Sequence, residues 1–307
     1  MLNNHPNPQN KITKQAKIIC KKILALLFAC FGFVVFGIIC ASGNLIFIPI
    51  IALRLHRYKK VQYFSRDLVR YAWALFLWIM RLAKRVSYSF KANESVVESA
   101  EKFAQESAKK SVEKSTKKSM IESKNKSKTT IDKISSAKPS QIIIANHPSL
   151  LDVVLLLANI PHINCVVKAS LSKNIFLFGA IKASGYILNT ANEELLQKSI
   201  ESLKSGESLL IFPEGTRTKD KISFHKAASY IAIHGAKSLS AIFIKMHPKS
   251  LQKDSKWYNT PAQTLHYEIS LESQIILDDF AKDKSDSLRV RALHEYLGNL
   301  YAPLNEC

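Results

Sequence analysis

The chain has 307 residues, of which 47% are hydrophobic and 22% are charged. This length is enough to bury a sizeable core, and the composition excludes a wholly disordered, collagen-like or coiled-coil protein. The five cysteines are odd in number and include no C-x-x-C pair, which argues against a disulfide framework or a zinc cluster and favours a reducing compartment.

The net charge of +20 first suggests a nucleic-acid partner, but the distribution of the charge argues against one. Residues 1–90 contain 14 lysines and arginines and one acid, residues 91–138 contain 12 lysines and 7 acids, and residues 139–307 contain 18 basic and 16 acidic residues. The excess lies mainly beside an apolar N-terminal segment, where basic residues attract anionic lipid head groups. We therefore expect membrane lipids, and no nucleic acid, as partners.

The same three ranges give the predicted domain organisation. Residues 1–90 are expected to form an N-terminal membrane-anchoring hairpin with a basic interfacial segment, and residues 139–307 an α/β domain. Between them, residues 91–138 form a low-complexity insert in which serine recurs near every fourth position among lysine and glutamate. Large apolar side chains are too few there to offset chain entropy, so the insert is either a fraying polar helix or a disordered loop.

The apolar N-terminal segment is the uncharged run 23–53, whose 31 residues exceed the roughly 20 that cross a bilayer as a helix. The helix breakers Ala41–Asn44 and Pro49 divide it into 23–40 and 45–53. Either the first part spans the membrane and the second lies at the far interface, or the two form a re-entrant hairpin. Basic residues on both flanks favour the hairpin, because a single crossing would leave one basic flank on the wrong side.

A second apolar stretch, residues 71–80, is too short to cross a membrane. Trp73 and Trp78 with arginine and lysine on both sides suit an amphipathic helix in the head-group layer. A helix buried against the α/β domain fits the pattern as well.

From residue 140 onward, short apolar runs alternate with helical periods, which predicts an α/β fold with a mostly parallel sheet flanked by helices. The predicted strands are Gln141–Ala145, Ile163–Lys168, Tyr186–Leu188, Ser208–Pro213, Ala241–Met246 and Thr264–Ser270. The predicted helices are Leu151–Ala158, Leu171–Ala183, Glu193–Lys204, His225–His234 and Ser287–Leu300. Such sheets carry their chemistry at the carboxyl ends of the strands.

The first reactive cluster follows the strand 141–145 and reads Asn-His-Pro-Ser-Leu-Leu-Asp from Asn146 to Asp152. A neutral imidazole can take a proton from an alcohol, and a carboxylate can fix its tautomer. A turn that opens a helix lets Asp152 return beneath the ring of His147. Ser149 is not expected to be a nucleophile, because side chains two residues apart point to different faces. By itself, a surface histidine followed by a helix-capping aspartate explains the spacing equally well.

The second cluster is Phe-Pro-Glu-Gly-Thr-Arg, residues 212–217, at the end of another apolar strand. An arginine offers a planar fork for phosphate or carboxylate, a glycine lets the backbone approach a ligand, and a threonine adds a donor. A purely structural turn rarely needs both a glutamate and an arginine at one strand end, so this cluster predicts a binding site.

Together the two motifs, N-H-x4-D and F-P-E-G-T-R some 60–70 residues later, resemble those of the lysophospholipid acyltransferase (PlsC-like) family. The resemblance implies that His147 is the general base and that Asp152 orients it. It also implies a hydrophobic tunnel or groove for the acyl chain and N-terminal apolar helices that sit on one leaflet. The residues that it places at the substrate site are Asn146, Glu214, Gly215, Thr216 and Arg217.

The sequence departs from the family in one segment that bears on the acceptor. The family often has Gly-x-Ile-Phe-x-x-Arg between the two motifs, and here residues 185–190 read Gly-Tyr-Ile-Leu-Asn-Thr, without arginine. Lys168, at a predicted strand end, is the best-placed substitute for the missing charge. The departure keeps other acceptors open, such as a glycolipid, an ornithine lipid or a polyene-type lipid.

The resemblance predicts a membrane-bound O-acyltransferase. It would move a fatty acyl group from acyl-CoA or acyl-carrier protein to a lysophospholipid hydroxyl, with lysophosphatidic acid giving phosphatidic acid as the leading reaction. No metal or other cofactor is expected, because a thiolate leaves readily. We expect the protein at the cell inner membrane, with the catalytic domain on the cytoplasmic side. A membrane-tethered lipid-binding protein without enzymatic activity is the remaining alternative.

Overall fold

The computed structural model describes residues 8–92, 139–190, 193–219 and 221–305. The predicted low-complexity insert lies almost entirely outside these residues. The described chain forms one seven-stranded sheet in the order β1-β7-β6-β2-β5-β3-β4, in which β6 and β7 pair antiparallel and every other pair is parallel. The predicted α/β class with a mostly parallel sheet is confirmed.

Buried apolar runs bounded by polar or turn-forming residues place the strands where they were predicted. β2 has the predicted bounds and β3 and β4 differ from theirs by one residue, whereas β5 is shorter than predicted and β6 and β7 are longer. β2 is fully buried along its length and lies near the centre of the sheet. The strands are β1 Val86–Ala92, β2 Gln141–Ala145, β3 Asn164–Lys168, β4 Ile187–Asn189, β5 Leu209–Ile211, β6 Ser238–His247 and β7 Leu265–Ile276.

Helices cover both faces of the sheet, so that two apolar clusters sandwich it. Ile143 of β2 packs in the cluster under α1–α4, whereas its neighbours Ile142 and Ile144 pack in the cluster under α5–α7, as the alternation of a strand requires. The helices are α1 Pro8–Ala52, α2 Lys59–Leu82, α3 Asp152–Asn159, α4 Phe178–Ala183, α5 Glu193–Lys204, α6 Lys226–Gly235 and α7 Asp286–Tyr301.

The predicted break inside the apolar run is wrong, because α1 continues through it as one helix to Ala52. Its polar groups are accommodated without a turn: the Ser42 hydroxyl donates to the Ile39 carbonyl one turn back, and the Asn44 amide donates to the Ile175 carbonyl at 2.7 Å. Pro49 lies inside the last turns of the helix. The predicted re-entrant hairpin within residues 23–53 is therefore wrong as well.

Helix α1 lies along the α/β domain over much of its length. The Ala25 carbonyl meets the Thr260 hydroxyl at 3.5 Å, and about three turns farther on the Phe36 ring stacks on Trp73 at 5.3 Å. The opposite face is apolar and exposed, with Leu45 as its most exposed large side chain. By length and composition, its residues Lys22–Ala52 form the one helix in the described chain that could cross a membrane.

Residues 71–80 belong to α2, which packs against the α/β domain as one of the two predicted alternatives requires, while the position of its outer face in a head-group layer stays a prediction. Trp73 is buried between α1 and the domain, whereas Trp78 is 58% exposed on the outer face. The helix is anchored to the domain by Arg66, which is buried and bonds the Ser184 carbonyl and the carboxylate of Glu207. Burial alone would raise the pKa of Glu207, but Arg66, a serine hydroxyl and a lysine outweigh it and leave that pKa lowered.

The sheet also contains a strand that the sequence analysis did not predict. β1 directly follows α2 and pairs with β7 from Val86 opposite Leu265 to Ala92 opposite Leu271. The first residues of β1 and β7 therefore lie at the edge of the sheet where β6 ends, since His247 of β6 pairs with His266 of β7. In addition, the predicted helix 171–183 is divided into a short 3-10 helix, Ala169–Lys173, and α4.

Candidate active site

The candidate site lies at the carboxyl edge of the parallel strands, where β2 and β5 end beside each other. In the paired region Ile144 of β2 is opposite Ile211 of β5, so the loops that follow both strands leave the sheet at one place. The Thr218 amide donates to the His147 carbonyl at 2.7 Å and joins the two loops directly. The two sequence motifs are therefore brought together.

His147 and Asp152 are in hydrogen-bond contact, with 2.9 Å between Nδ1 of the imidazole and Oδ2 of the carboxylate. The carboxylate is fully buried at the first residue of α3, and the imidazole is half-buried and lies against the Phe212 ring at 4.5 Å. An ionised carboxylate can only accept hydrogen bonds, so Nδ1 carries the proton and Nε2 of the neutral ring is left as the acceptor.

Ser149 and Tyr267 hold the carboxylate from behind. The Ser149 amide donates to Oδ2 of Asp152 at 2.7 Å, and its hydroxyl donates to Oδ1 at 2.9 Å. The Tyr267 hydroxyl lies 2.9 Å from the same serine oxygen. Burial and the charge of Asp152 raise the pKa of Tyr267 far above its usual range, so the phenol stays protonated and donates to Ser149. Ser149 is fully buried in this arrangement, which agrees with its exclusion as a nucleophile.

Glu214 organises the loop of His147 from the other side. Its Oε1 accepts the His147 amide at 2.8 Å, and both carboxylate oxygens accept the Thr218 hydroxyl, at 2.9 and 2.7 Å. The side chain is buried, and this burial raises its pKa against the opposing effect of the Thr218 and His147 hydrogen bonds. Glu214 thus positions the backbone of His147 in addition to any contact with substrate.

Asn146 ties the end of β2 to β6. Its side-chain amide donates to the Ile244 carbonyl at 2.9 Å and its oxygen accepts the Ile244 amide at 2.8 Å. These paired bonds continue the strand pairing by one residue and fix the point at which the chain leaves for His147. A direct contact of Asn146 with substrate stays a prediction.

The remaining residues of the second motif lie at the surface of the site. Gly215 has a φ of 66°, a left-handed conformation that favours glycine, and a Cβ there would lie 3.4 Å from the His225 ring. Thr216 is exposed. Arg217 is half-buried, and its Nη1 donates to the carbonyls of Leu251 at 2.7 Å and Gln252 at 3.0 Å.

Arg217 therefore holds the connection between β6 and β7, and its contact with substrate stays a prediction. Lys168, the last residue of β3, is exposed at the same carboxyl edge. Its side chain does not line the cavity described next, although its neighbour Val167 does.

A cavity of about 370 Å³ opens beside His147, a size typical of small-molecule sites. It lies between α1, α2 and α3, and its lining is almost wholly apolar. Aromatic side chains of the N-terminal helices, including Phe28, Phe36 and Trp73, form one wall, and Leu150 and Leu151 form the wall next to the imidazole. A base at the side of an apolar cavity can meet the hydroxyl of a molecule whose hydrocarbon part fills that cavity.

Sequence reasoning missed four residues of the site. Thr218 bonds His147 and Glu214, Tyr267 bonds Ser149, and Arg85 and Leu251 line the cavity. Thr218 directly follows the second motif, so its proximity was a usable signal. The contacts of Arg85, Tyr267 and Leu251 depend on how β1, β7 and the β6–β7 connection pack. The spacing of neighbouring residues in the sequence therefore does not predict them.

The fold and the paired motifs define an acyltransferase, and residues 114–250 match the family model described as Acyltransferase. The chain is 30% identical over 189 residues to the 1-acyl-sn-glycerol-3-phosphate acyltransferase of Helicobacter pylori strain J99, an alignment that covers 57% of this chain and 76% of that protein. The chain belongs to the PlsC-like lysophospholipid acyltransferase family. The crystal structure of the LPA acyltransferase PlsC from Thermotoga maritima is 17% identical, with a TM-score of 0.48, and covers 92% of this chain and 97% of its own.

Proposed function

We propose that this acyltransferase transfers a fatty acyl group from a thioester to the free hydroxyl of lysophosphatidic acid, with His147 as the general base. The observation that carries the proposal is the 2.9 Å contact between the His147 imidazole and the buried Asp152 carboxylate at the side of the apolar cavity. The name of the Helicobacter pylori relative supports lysophosphatidic acid as the acceptor.

In the proposed reaction, Nε2 of His147 takes the proton of the acceptor hydroxyl as its oxygen attacks the thioester carbonyl. The new ester bond forms, the carbon–sulfur bond breaks, and the proton passes from the imidazolium to the departing thiolate. Asp152 keeps the ring in the required tautomer and stabilises the imidazolium. Such general-base assistance contributes about 10²–10⁴ in rate. The donor is acyl-CoA or acyl-carrier protein, and no cofactor takes part.

We propose that the enzyme works at a membrane surface, with α1 in the apolar part of one leaflet. Two properties of α1 support this: one face lies against the domain, and the opposite face exposes large apolar side chains such as Leu27, Val34, Ile38 and Leu45. The many basic residues that follow α1 would attract anionic head groups. Location at the cell inner membrane, with the sheet on the cytoplasmic side, is part of this proposal.

The test is release of thiol from a long-chain acyl thioester in the presence of lysophosphatidic acid. His147→Ala should lower kcat by about 10²–10⁴, as the loss of a general base predicts. His266→Ala is the matched control, since His266 is exposed on β7 and its side chain hydrogen-bonds only Ser87 among the described residues, and it should keep wild-type activity. Undiminished turnover by His147→Ala would refute the base assignment.

A panel of acceptors assayed with one thioester tests the acceptor. Lysophosphatidic acid should be acylated in preference to glycolipid, ornithine-lipid and polyene-type acceptors. A higher kcat/KM for one of those acceptors would leave the acyltransferase activity in place and show that the proposed acceptor is wrong.

A further inference from the structure

The cavity beside His147 contains one cation in its apolar lining. Among the described residues that line it, Arg85 is the only lysine or arginine. Arg85 is 9% exposed and occupies the last position before β1. Because β1 begins where β7 begins and β6 ends, Arg85 lies at the same edge of the sheet as the loop of His147.

The charge of Arg85 has no carboxylate counterion within salt-bridge distance among the described residues. Its guanidinium donates to the carbonyls of Ala262 at 2.7 Å and Pro261 at 2.8 Å and lies 5.0 Å from the centre of the Phe28 ring. Burial lowers its pKa, and no acid in the described part of the chain opposes that effect.

This environment leaves the positive charge of Arg85 only partly compensated. A buried charge is ordinarily paired, and carbonyl dipoles with one aromatic face compensate it only in part. The guanidinium has five N–H donors, of which the two bonds to Pro261 and Ala262 use two. Its planar fork matches the oxygens of a phosphate group.

We propose that Arg85 binds the phosphate group of the lysolipid acceptor and makes the enzyme selective for phosphate-bearing acceptors. This inference rests on the proposed function, and it gives the acceptor a cation that the segment 185–190 lacks. The exposed Lys168 is outside the cavity lining, whereas Arg85 is part of it. A lysolipid carries its phosphate and its hydrocarbon chain on one small molecule, which suits a site that is apolar apart from one cation.

The acyl donor also carries phosphate, so the experiment separates the two sources. Arg85→Gln is compared with wild type in neutral detergent micelles, with oleoyl lysophosphatidic acid and with monooleoylglycerol, which lacks the phosphate. Equilibrium binding of each lipid is measured by tryptophan fluorescence, and KM is measured for both acceptors and for the thioester. Arg81→Gln, an exposed position at the end of α2, is the control for lost positive charge.

Arg85→Gln should weaken binding of lysophosphatidic acid and raise its KM by roughly 10- to 100-fold, the effect of losing a hydrogen bond between charged groups. Binding of monooleoylglycerol and the thioester KM should stay unchanged, and Arg85→Lys should recover part of the selectivity. An equal loss for both lipids, a change confined to the thioester KM, or unchanged selectivity would overturn the proposal.

The failure of the proposed function gives a different result. If the wild type binds lysophosphatidic acid selectively through Arg85 but transfers no acyl group, the subsite stands and the catalytic proposal fails. If turnover depends on His147 while Arg85→Gln keeps its selectivity, the catalytic proposal stands and the subsite fails.

Discussion

The hydrogen bonds behind Asp152 lead to a quantitative prediction about Ser149 and Tyr267. The Ser149 hydroxyl donates to the carboxylate and accepts from the Tyr267 phenol, so the tyrosine acts on the catalytic pair only through the serine. All three side chains are fully buried. Solvent therefore cannot replace a hydrogen bond that a substitution removes.

Ser149→Ala removes a hydrogen bond to a charged group, worth about 1.5–3 kcal/mol. If that energy is expressed fully in positioning the pair, kcat falls roughly 10- to 150-fold. Tyr267→Phe removes a bond between neutral groups, worth about 0.5–1.5 kcal/mol, and should lower kcat roughly 2- to 10-fold. In the double variant the tyrosine change should add little, because the serine through which it acts is gone.

The assay is thiol release over a range of pH, at saturating substrates for kcat and at limiting acceptor for kcat/KM. Without the Ser149 hydroxyl, the Asp152 carboxylate has one donor fewer and attracts the protonated His147 ring more strongly. The acidic limb of the kcat/KM profile of Ser149→Ala should therefore move to higher pH. A purely structural effect would lower thermal stability without moving that limb. The reasoning is refuted if Ser149→Ala keeps full activity, or if the two losses multiply in the double variant.

Two further predictions concern stability. Since burial raises the pKa of Glu214, its ionisation destabilises the fold as pH rises through that value. Glu214→Gln should therefore unfold at a higher denaturant concentration than wild type near neutral pH, with the difference vanishing in acid; a difference that grows in acid contradicts this. In α4, Gly179→Ala would place Cβ 2.2 Å from the Asn44 oxygen of α1 and should cost about 1–3 kcal/mol in denaturant unfolding. Gly298→Ala, with no heavy atom within 4 Å, should stabilise α7 by up to about 1 kcal/mol, and equal effects would disprove the close packing of α1.

The prediction succeeded where structure depends on local sequence. β2 and α5 have the predicted bounds, because a continuous apolar run and a strong helical period each specify an element without help from distant residues. The contact of His147 with Asp152 is likewise local, since one turn separates a strand end from a helix start. The role of the pair in catalysis stays a prediction that the His147→Ala assay tests.

Prediction failed where a polar or helix-breaking residue is compensated by a partner far away in the chain. The sequence pattern predicts a break at Asn44, but its amide donates to the Ile175 carbonyl, 131 residues later, and the helix continues. β1 was not predicted as a strand, because its pairing partner β7 lies beyond residue 264. Neither contact can be predicted from the spacing of residues that are close together in the sequence.

The sequence by itself determined the α/β class, the family and the two loops that carry its motifs, because these depend on apolar periodicity and on residues adjacent in the chain. Only the tertiary structure decided that α1 covers the cavity as one helix, that Tyr267 stands behind Asp152, and that Arg85 lines the cavity. These features arise from packing between segments remote in sequence. The burial of these side chains and their hydrogen-bond partners exist only in the folded chain, so the sequence alone could not predict their roles.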